Sequence, residues 1–331
     1  MKYFVTGATG FIGGVVARQL IEGGHEVIAV VRNPAKADHL AKLGVQLVKG
    51  DIIDKESMRE GMTGTDGVFH IAGWYKIGTK DAAEGQGINV DGTRNVLELM
   101  RELNIPKGVY TSTLAVFSDT KGQVVDETYR HDGPWLTEYD RTKWEAHYRV
   151  ADPMMEQGLP LVIVQPGLVY GPGDTSPAHD ALVQFLKRRL PATPQKTAFA
   201  WAHVEDIARG HILAMEKGRV GEDYIIAGPV HTLIEAMAIA EDITGIPAPK
   251  LHPAPAMLKA TAALMGVLEK ILPVPSSYTR EGLLVTAGVT YIGDNAKAKR
   301  ELGYNPRPLR EGLSETLEYE MKQLGIHASQ K

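Results

Sequence analysis

The chain contains no cysteine among its 331 residues. That excludes disulfides, thiolate metal ligands and a cysteine nucleophile. It also fits a reducing compartment, so we expect a cytoplasmic protein. No long basic run is present. With 36 basic against 40 acidic residues and a formal net charge of −4, nucleic acid is not an expected partner. A signal peptide is also missing: the short apolar run at the N-terminus passes straight into a glycine loop and reads as a buried first strand. The most apolar long stretch, residues 255–272, carries charges. Its Met257, Thr261, Leu264, Leu268 and Ile271 recur at helical spacing, which suits an amphipathic helix better than a bilayer span. We expect that helix to pack on its own domain, a membrane-surface helix being the alternative, and we expect no membrane insertion.

What is present is a regular alternation. Apolar, β-rich runs occur at Tyr3 to Val5, Val27 to Val31, Val45 to Val48, Gly67 to Ile71, Gly108 to Thr111 and Leu161 to Val164, with helical patterns between them. Near-continuous apolar strands alternating with helices indicate a parallel sheet covered on both faces. Helices are expected after the first loop, over Asn89 to Leu103 and over Tyr139 to Val150. From Pro166 onward prolines and glycines cluster and the repeat stops. The expected organisation is therefore a nucleotide-binding domain over 1–165, with 201–217 returning to it, and a smaller, mostly helical substrate domain over 166–331. The fold class is α/β, a Rossmann-type doubly wound parallel sheet with that smaller unit at its C-terminal side.

Glycines at 7, 10 and 13 follow a strand and open a helix, the loop reading Gly7-Ala8-Thr9-Gly10-Phe11-Ile12-Gly13. They allow a tight turn and close approach of backbone to a pyrophosphate, which then faces a helix N-terminus. The end of the second strand should separate NAD from NADP, because a carboxylate there binds ribose hydroxyls whereas an arginine accommodates a 2′-phosphate. The chain reads Arg32-Asn33-Pro34-Ala35-Lys36, with no acid until Asp38. Arg32 and Lys36 tilt the expectation to NADP(H), with NAD(H) remaining open. Asp51-Ile52 is placed to contact adenine or, equally, to form a turn. Ala72-Gly73 ends the fourth strand with residues small enough to let backbone pass a cofactor. His70 beside them reads as a packed strand histidine. His203, Glu205 and Asp206 read as a helix entry, and no metal site is expected.

Tyr139 and Lys143 stand at i and i+4, a spacing that puts both on one helix face about 5–6 Å apart at Cβ. A lysine cation there would lower the pKa of the phenol, ordinarily about 10, toward the range useful for general acid catalysis.

In this order, the glycine loop, Asp51-Ile52, His70 to Gly73, Asn89 to Thr93, Thr111-Ser112-Thr113, the tyrosine–lysine pair, Gln165 to Asp174 and Ala202 to Ala208 resemble the extended short-chain dehydrogenase/reductases. The likeness reaches Asp294 to Glu318 and so covers nearly the whole chain. Within that superfamily it is similar to the dihydroflavonol reductase-like branch, which includes members labelled hopanoid-associated sugar epimerases. The resemblance implies a catalytic triad of Thr113, Tyr139 and Lys143, with Ser112 as the neighbouring fallback. It implies that Thr111, Pro166, Gly167 and Val169 lie along the cofactor, that Asn89 supports the site, and that a homodimer forms through the helices at 89–103 and 139–150. The expected activity is NADP-dependent reduction of a ketone or aldehyde, with Tyr139 as proton donor. A sugar-nucleotide epimerase using the same triad with NAD is the alternative, and a non-catalytic NADP-binding sensor is less favoured. Trp74, Tyr75, Phe117, Trp135, Tyr170 and His179 are the expected walls of a pocket for a small carbonyl or hydroxyl substrate.

Overall fold

The computed structural model describes residues 1–78, 82–269, 271–272 and 274–326. Its centre is a seven-stranded parallel sheet. Strands β1 (Lys2–Thr6), β2 (Glu26–Val31), β3 (Gln46–Lys49), β4 (Gly67–His70), β5 (Gly108–Thr111) and β6 (Leu161–Pro166) are the six expected runs, with shifted ends. Three short strands follow in the chain, β7 (Leu168–Tyr170), β8 (Ala198–His203) and β9 (Asp223–Ile226). The main sheet runs β3-β2-β1-β4-β5-β6-β9, so the chain direction across it reverses between β1 and β4.

The period of two along each strand divides the core. Tyr3, Val5, Val27, Ala29, Phe69, Val109, Val162 and Val164 point to one face. There they meet Val16 and Leu20 of the helix Phe11–Glu22, and Ile207, Leu213 and Ala214 of the helix Val204–Lys217. Phe4, Ile28, Val30, Val68, Tyr110, Leu161 and Ile163 point to the other face, against Met58, Met62, Val96, Leu97, Met100, Ala146 and Val150. The helix Val204–Lys217 packs along the helix Phe11–Glu22, and Glu205 accepts hydrogen bonds from both Arg18 and Gln19.

A second, smaller sheet stands at the C-terminal ends of the main strands. Strand β8 pairs antiparallel with β10 (Val230–Thr232), and parallel with β7 and with β11 (Thr290–Tyr291). Behind it lies a separate core of Tyr170, Leu182, Phe185, Trp201, Met237, Leu309, Leu313 and Leu317. The helix Leu233–Thr244 opens on a complete capping box between Thr232 and Glu235. The helix Ala296–Leu302 ends where Gly303 takes φ 74°.

Two helices run longer than expected, each through a wide π turn. One is helical from Ala82 to Glu102 and widens over Gln86–Asp91; the other runs from Glu138 to Glu156 and widens over Ala146–Ala151. The helix Pro255–Leu268 forms as expected, but its apolar stripe does not pack inward. Met257, Leu264 and Leu268 are exposed, and Ala262 is its buried residue. Among the described residues no helix is long and apolar enough to cross a membrane.

Phe69 is fully buried on the central strand β4, edge-on to Tyr3 at 5.3 Å between ring centroids. Phe69→Ala should therefore cost about 3–5 kcal/mol in urea unfolding. A loss below about 1 kcal/mol would show that this layer collapses around the cavity.

Candidate active site and cofactor crevice

Strands β1 and β4 are neighbours whose connections leave in opposite directions, and open α/β sheets bind ligands at such a switch point. The glycine loop leaves β1 there. A Cβ on Gly7 would lie 2.6 Å from the Ala72 nitrogen, and Gly7 also takes φ 77°. A Cβ on Gly13 would lie 2.2 Å from the Gly7 carbonyl oxygen. Both positions therefore exclude any side chain, and Gly10 closes the turn by donating to the Gly7 oxygen at 2.9 Å. The helix Phe11–Glu22 starts at Gly10 with no side-chain cap and no acid in its first turn. Its first N–H groups and dipole are thus left for an anion. A cavity of about 340 Å³ opens over this N-terminus between Thr9, Gly10, Phe11, Gly14 and Val15 on one side and Pro172, Gly173 and Thr175 on the other. The second side was missed from the sequence, although the Gly171-Pro172-Gly173 cluster marked it as a tight loop.

The remaining expected cofactor residues divide. Arg32 stands exposed at the end of β2, and Lys36 is exposed on the short turn Pro34–Lys36, which Asn33 caps. Asp51 accepts from the Ile53 N–H at 3.3 Å, so one oxygen of its carboxylate serves the turn. Ile52 is buried against Gly92. Thr6 Oγ1 accepts from the N–H groups of Ile71 and Ala72 and so holds the Ala72-Gly73 exit against the loop. Gly167 follows β6 where a Cβ would meet the Ala200 oxygen at 2.1 Å; Pro166 ends β6 and Val169 lies on β7. The Thr111 hydroxyl turns inward to His211 Nε2 at 2.8 Å, and its carbonyl accepts from Lys143 at 2.8 Å. His70 is packed, bonded to Thr6 and Thr93, and burial holds its pKa down at about 3.

Tyr139 and Thr113 come together, the Thr113 hydroxyl being hydrogen-bonded to the phenol. Thr137 caps the helix Glu138–Glu145 by accepting from the Asp140 N–H at 3.0 Å, which fixes Tyr139 in the first turn. Lys143 does not act on Tyr139 as expected. Its ammonium donates to the Thr111 carbonyl at 2.8 Å and the Tyr110 hydroxyl at 3.2 Å, and it lies 4.8 Å from the Tyr110 ring centroid. Burial lowers its pKa to about 7. Desolvation pushes the Tyr139 phenol up to about 12, Thr113 works against that, and the Asp140 charge adds to it. In this arrangement burial outweighs the hydrogen bond.

Ser112 is not available as a substitute for Thr113. Its hydroxyl bonds to His147 Nδ1 at 2.7 Å, and His147 Nε2 faces Asp223 at 3.1 Å and Asp152 at 3.4 Å. Burial works to lower the His147 pKa, but the two carboxylates outweigh it and hold it above the ordinary value. His203 caps its helix, Glu205 meets Arg18, and Asp206 meets Arg307.

The expected pocket walls need correction. Trp74 is buried, its indole donating to Glu84 and its backbone held at both ends by Asn89. Phe117 is fully buried against Tyr129. Tyr170 belongs to the second core, Trp135 packs on Trp144, and His179 faces Glu320. Of the six, Tyr75 meets the site, edge-on to Tyr139 at 4.7 Å. The apolar wall beside Tyr139 is instead Ala115, Leu136, Phe199, Val289 and Tyr291. Asn89 also donates to Thr142 Oγ1 at 2.9 Å, which ties the Trp74 segment to the tyrosine–lysine helix.

The sequence profile of the NAD dependent epimerase/dehydratase family matches residues 3–227, and the chain belongs to that family. A Synechocystis sp. protein named dihydroflavonol 4-reductase is 34% identical over 328 residues, covering 96% of this chain and 94% of its own. A Stigmatella aurantiaca protein named 4-hydroxy-2-methyl-3-oxo-4-farnesyl-3,4-dihydroquinoline-1-oxide ketoreductase is 30% identical over 326 residues, covering 93% of this chain and 92% of its own. UDP-glucuronic acid 4-epimerase from Bacillus cereus, solved with NAD, superposes with a TM-score of 0.77 at 22% identity over 98% of this chain and all of that one, a likeness of fold. The protein is an extended short-chain dehydrogenase/reductase, an enzyme with a pyridine nucleotide cofactor.

Asp140 gives a pH test of this site. Its carboxyl is buried, accepts from the hydroxyls of Thr137 at 2.9 Å and Tyr291 at 3.1 Å, and faces Tyr139, Tyr75 and Glu281. Burial raises its pKa to about 7, against the two hydrogen bonds and with the help of Glu281. An unfolded aspartate loses its proton near pH 3.9. Between there and about 7 only the folded chain holds that proton, so the stability contributed by Asp140 falls as pH rises and levels off above. Asp140→Asn has no such titration. Its Tm relative to wild type should climb from pH 4 to 7 and then stay flat; a difference independent of pH would refute the buried acid.

Proposed function

We propose that the protein reduces an apolar ketone or aldehyde with NADPH. The observation that carries this reading is the apolar cluster packed against Tyr139. Ala115, Leu136, Phe199, Val289 and Tyr291 pack there, with Tyr75 at the edge, and such a surface suits an aryl or alicyclic carbonyl better than a sugar diphosphate. The names of the two relatives, both reductases, support the same reading.

The crevice fits the cofactor on its own geometry, since backbone packed on Gly7 and Gly13 fixes the uncapped start of the helix Phe11–Glu22 beside a cavity of about 340 Å³. In this reading Gly7, Gly10 and Gly13 with Thr9, Phe11 and Ile12 hold the pyrophosphate. Arg32 and Lys36 take the 2′-phosphate, Asp51 and Ile52 take the adenine, and Ala72, Gly73, Pro166, Gly167 and Val169 line the nicotinamide end. Bound nicotinamide supplies hydride chemistry. The protein's part is acid catalysis and positioning. Tyr139 donates its proton to the developing alkoxide, and Thr113 donates a hydrogen bond to the same oxygen. Lys143 holds the β5 exit through the Thr111 carbonyl.

Tyr139→Phe should lower kcat by about 10²–10⁴ on a panel of aromatic and alicyclic ketones while leaving NADPH affinity unchanged. Turnover of UDP-sugars with retained NAD, and none of the carbonyl panel, would assign epimerisation instead. Fluorescence titration should give tighter binding of NADPH than of NADH, and Arg32→Ala should erase about tenfold or more of that preference. Tighter NADH binding by the wild type would remove the Arg32 argument.

A further inference from the structure

An unbroken line of buried polar groups runs from the glycine loop to Lys143. Thr6 Oγ1, at the end of β1, accepts from the N–H groups of Ile71 at 3.2 Å and Ala72 at 3.1 Å. A hydroxyl oxygen has two lone pairs, so its own hydrogen is left to donate to His70 Nδ1 at 2.8 Å. His70 is buried and neutral, so its one ring hydrogen sits on Nε2 and is donated to Thr93 Oγ1 at 3.0 Å. Thr63, Thr244 and Thr316 each donate to the carbonyl four residues back. Among the described residues the partners of the Thr93 hydroxyl are instead His70 and the Tyr110 hydroxyl. Its hydrogen therefore goes to Tyr110.

That order decides what Tyr110 can do with its own hydrogen. As an ammonium, Lys143 donates to the Tyr110 oxygen at 3.2 Å and to the Thr111 carbonyl at 2.8 Å. The Tyr110 hydrogen then has no acceptor among the described residues. As an amine, Lys143 keeps its bond to Thr111 and takes the Tyr110 hydrogen on its lone pair, so every member of the line is satisfied. A buried donor left unpaired is the costlier arrangement. Burial of Lys143 works in the same direction, and among the described residues no carboxylate offsets it. The titratable groups around the lysine are Tyr110 on β5 and His70 on β4, which stack at 5.4 Å. A cation at Lys143 also opposes one on His70, and Tyr139 and Asp152 act on Tyr110.

We propose that His70 is a positioning residue which, by fixing Thr93 as a donor to Tyr110, favours the neutral amine of Lys143 in the free enzyme. It acts on the pair assigned to the reaction above. The test reads the chain without cofactor or substrate, so failure of that reaction and failure of this role are distinguishable. The measurement is a pH titration followed by NMR of the lysine Cε carbons, with Lys143 assigned by its loss in Lys143→Met. In wild type Lys143 should titrate near pH 7. His70→Phe keeps a ring against Tyr110 but frees Thr93 to accept from it, and the proton affinity of Lys143 should rise about tenfold or more. His70→Asn, too short to reach Thr93, should give the same rise and serves where the larger ring disturbs the melt. His70→Gln can accept from Thr6 through its oxygen and donate to Thr93 through its nitrogen, so it should stay within about twofold of wild type. A wild-type midpoint near the ordinary lysine value of about 10.4 would overturn the proposal. Equal midpoints in His70→Gln and in His70→Phe or His70→Asn would do so too, since His70 would then act by packing alone.

Discussion

The contact between the glycine loop and the exit of β4 governs the geometry of the site. Gly7 sits where a side-chain carbon would be 2.6 Å from the Ala72 nitrogen, and Gly13 sits where one would be 2.2 Å from the Gly7 oxygen. Backbone therefore lies directly on backbone at the switch point of the sheet. Thr6 reinforces this by accepting from the Ile71 and Ala72 N–H groups. Because the loop is pinned there, the N-terminus of the helix Phe11–Glu22 has a fixed position, and its uncapped donors face the crevice. The same seam brings the chain beyond β4 to Trp74, whose backbone Asn89 holds from both sides. Asn89 then reaches Thr142, one turn along from Tyr139. A continuous set of short contacts thus runs from the glycine loop to the helix that carries Tyr139.

Burial sets the electrostatics of the acid more than any single partner does. Desolvation raises Tyr139 and Asp140 and lowers Lys143, each in the direction that removes charge. The hydrogen bonds from Thr113 to Tyr139, and from Thr137 and Tyr291 to Asp140, oppose the trend without reversing it. A phenol that stays protonated is suited to donate a proton to an alkoxide, which is the direction of reduction. Lys143 contributes by position here: anchored on the Thr111 carbonyl, it ties the tyrosine–lysine helix to β5 and leaves the hydroxyl side of Tyr139 to Thr113.

The six long strands and the glycine loop were legible because each signal is local. An apolar run of four or more residues between helical patterns has few other places to go in a parallel sheet. The short strands were not legible in the same way. Strand β11 is two residues long and forms only by pairing with β8, some ninety positions earlier in the chain, and nothing in Thr290-Tyr291 itself announces that partner. Tyr291 and Phe199 were missed as walls of the site for that reason, although they stack at 5.9 Å there. The opposite error affected Trp74, Phe117 and Tyr170: large aromatics near a motif suggested a pocket, but Trp74 is buried and bonded to Glu84, Phe117 packs on Tyr129, and Tyr170 belongs to the second core. Periodicity likewise gave the stripe on the helix Pro255–Leu268 but not the side from which it is covered, because a pattern of side chains carries no information on what lies opposite.

These late elements converge on the first turn of the tyrosine helix. Tyr291 donates to Asp140 from the small sheet, and Glu281 accepts from the Glu138 N–H and from Gly78. The residues on either side of Tyr139 are therefore held by segments that lie more than a hundred positions further along the chain. Displacing the small sheet would break the Asp140 bond and admit water to a carboxyl that is otherwise buried, which favours its ionised form. A negative charge beside Tyr139 raises the phenol further. Whether Asp140 is protonated or charged, burial keeps Tyr139 protonated, and the apolar cluster packed against it takes Tyr291 from β11, which pairs with β8.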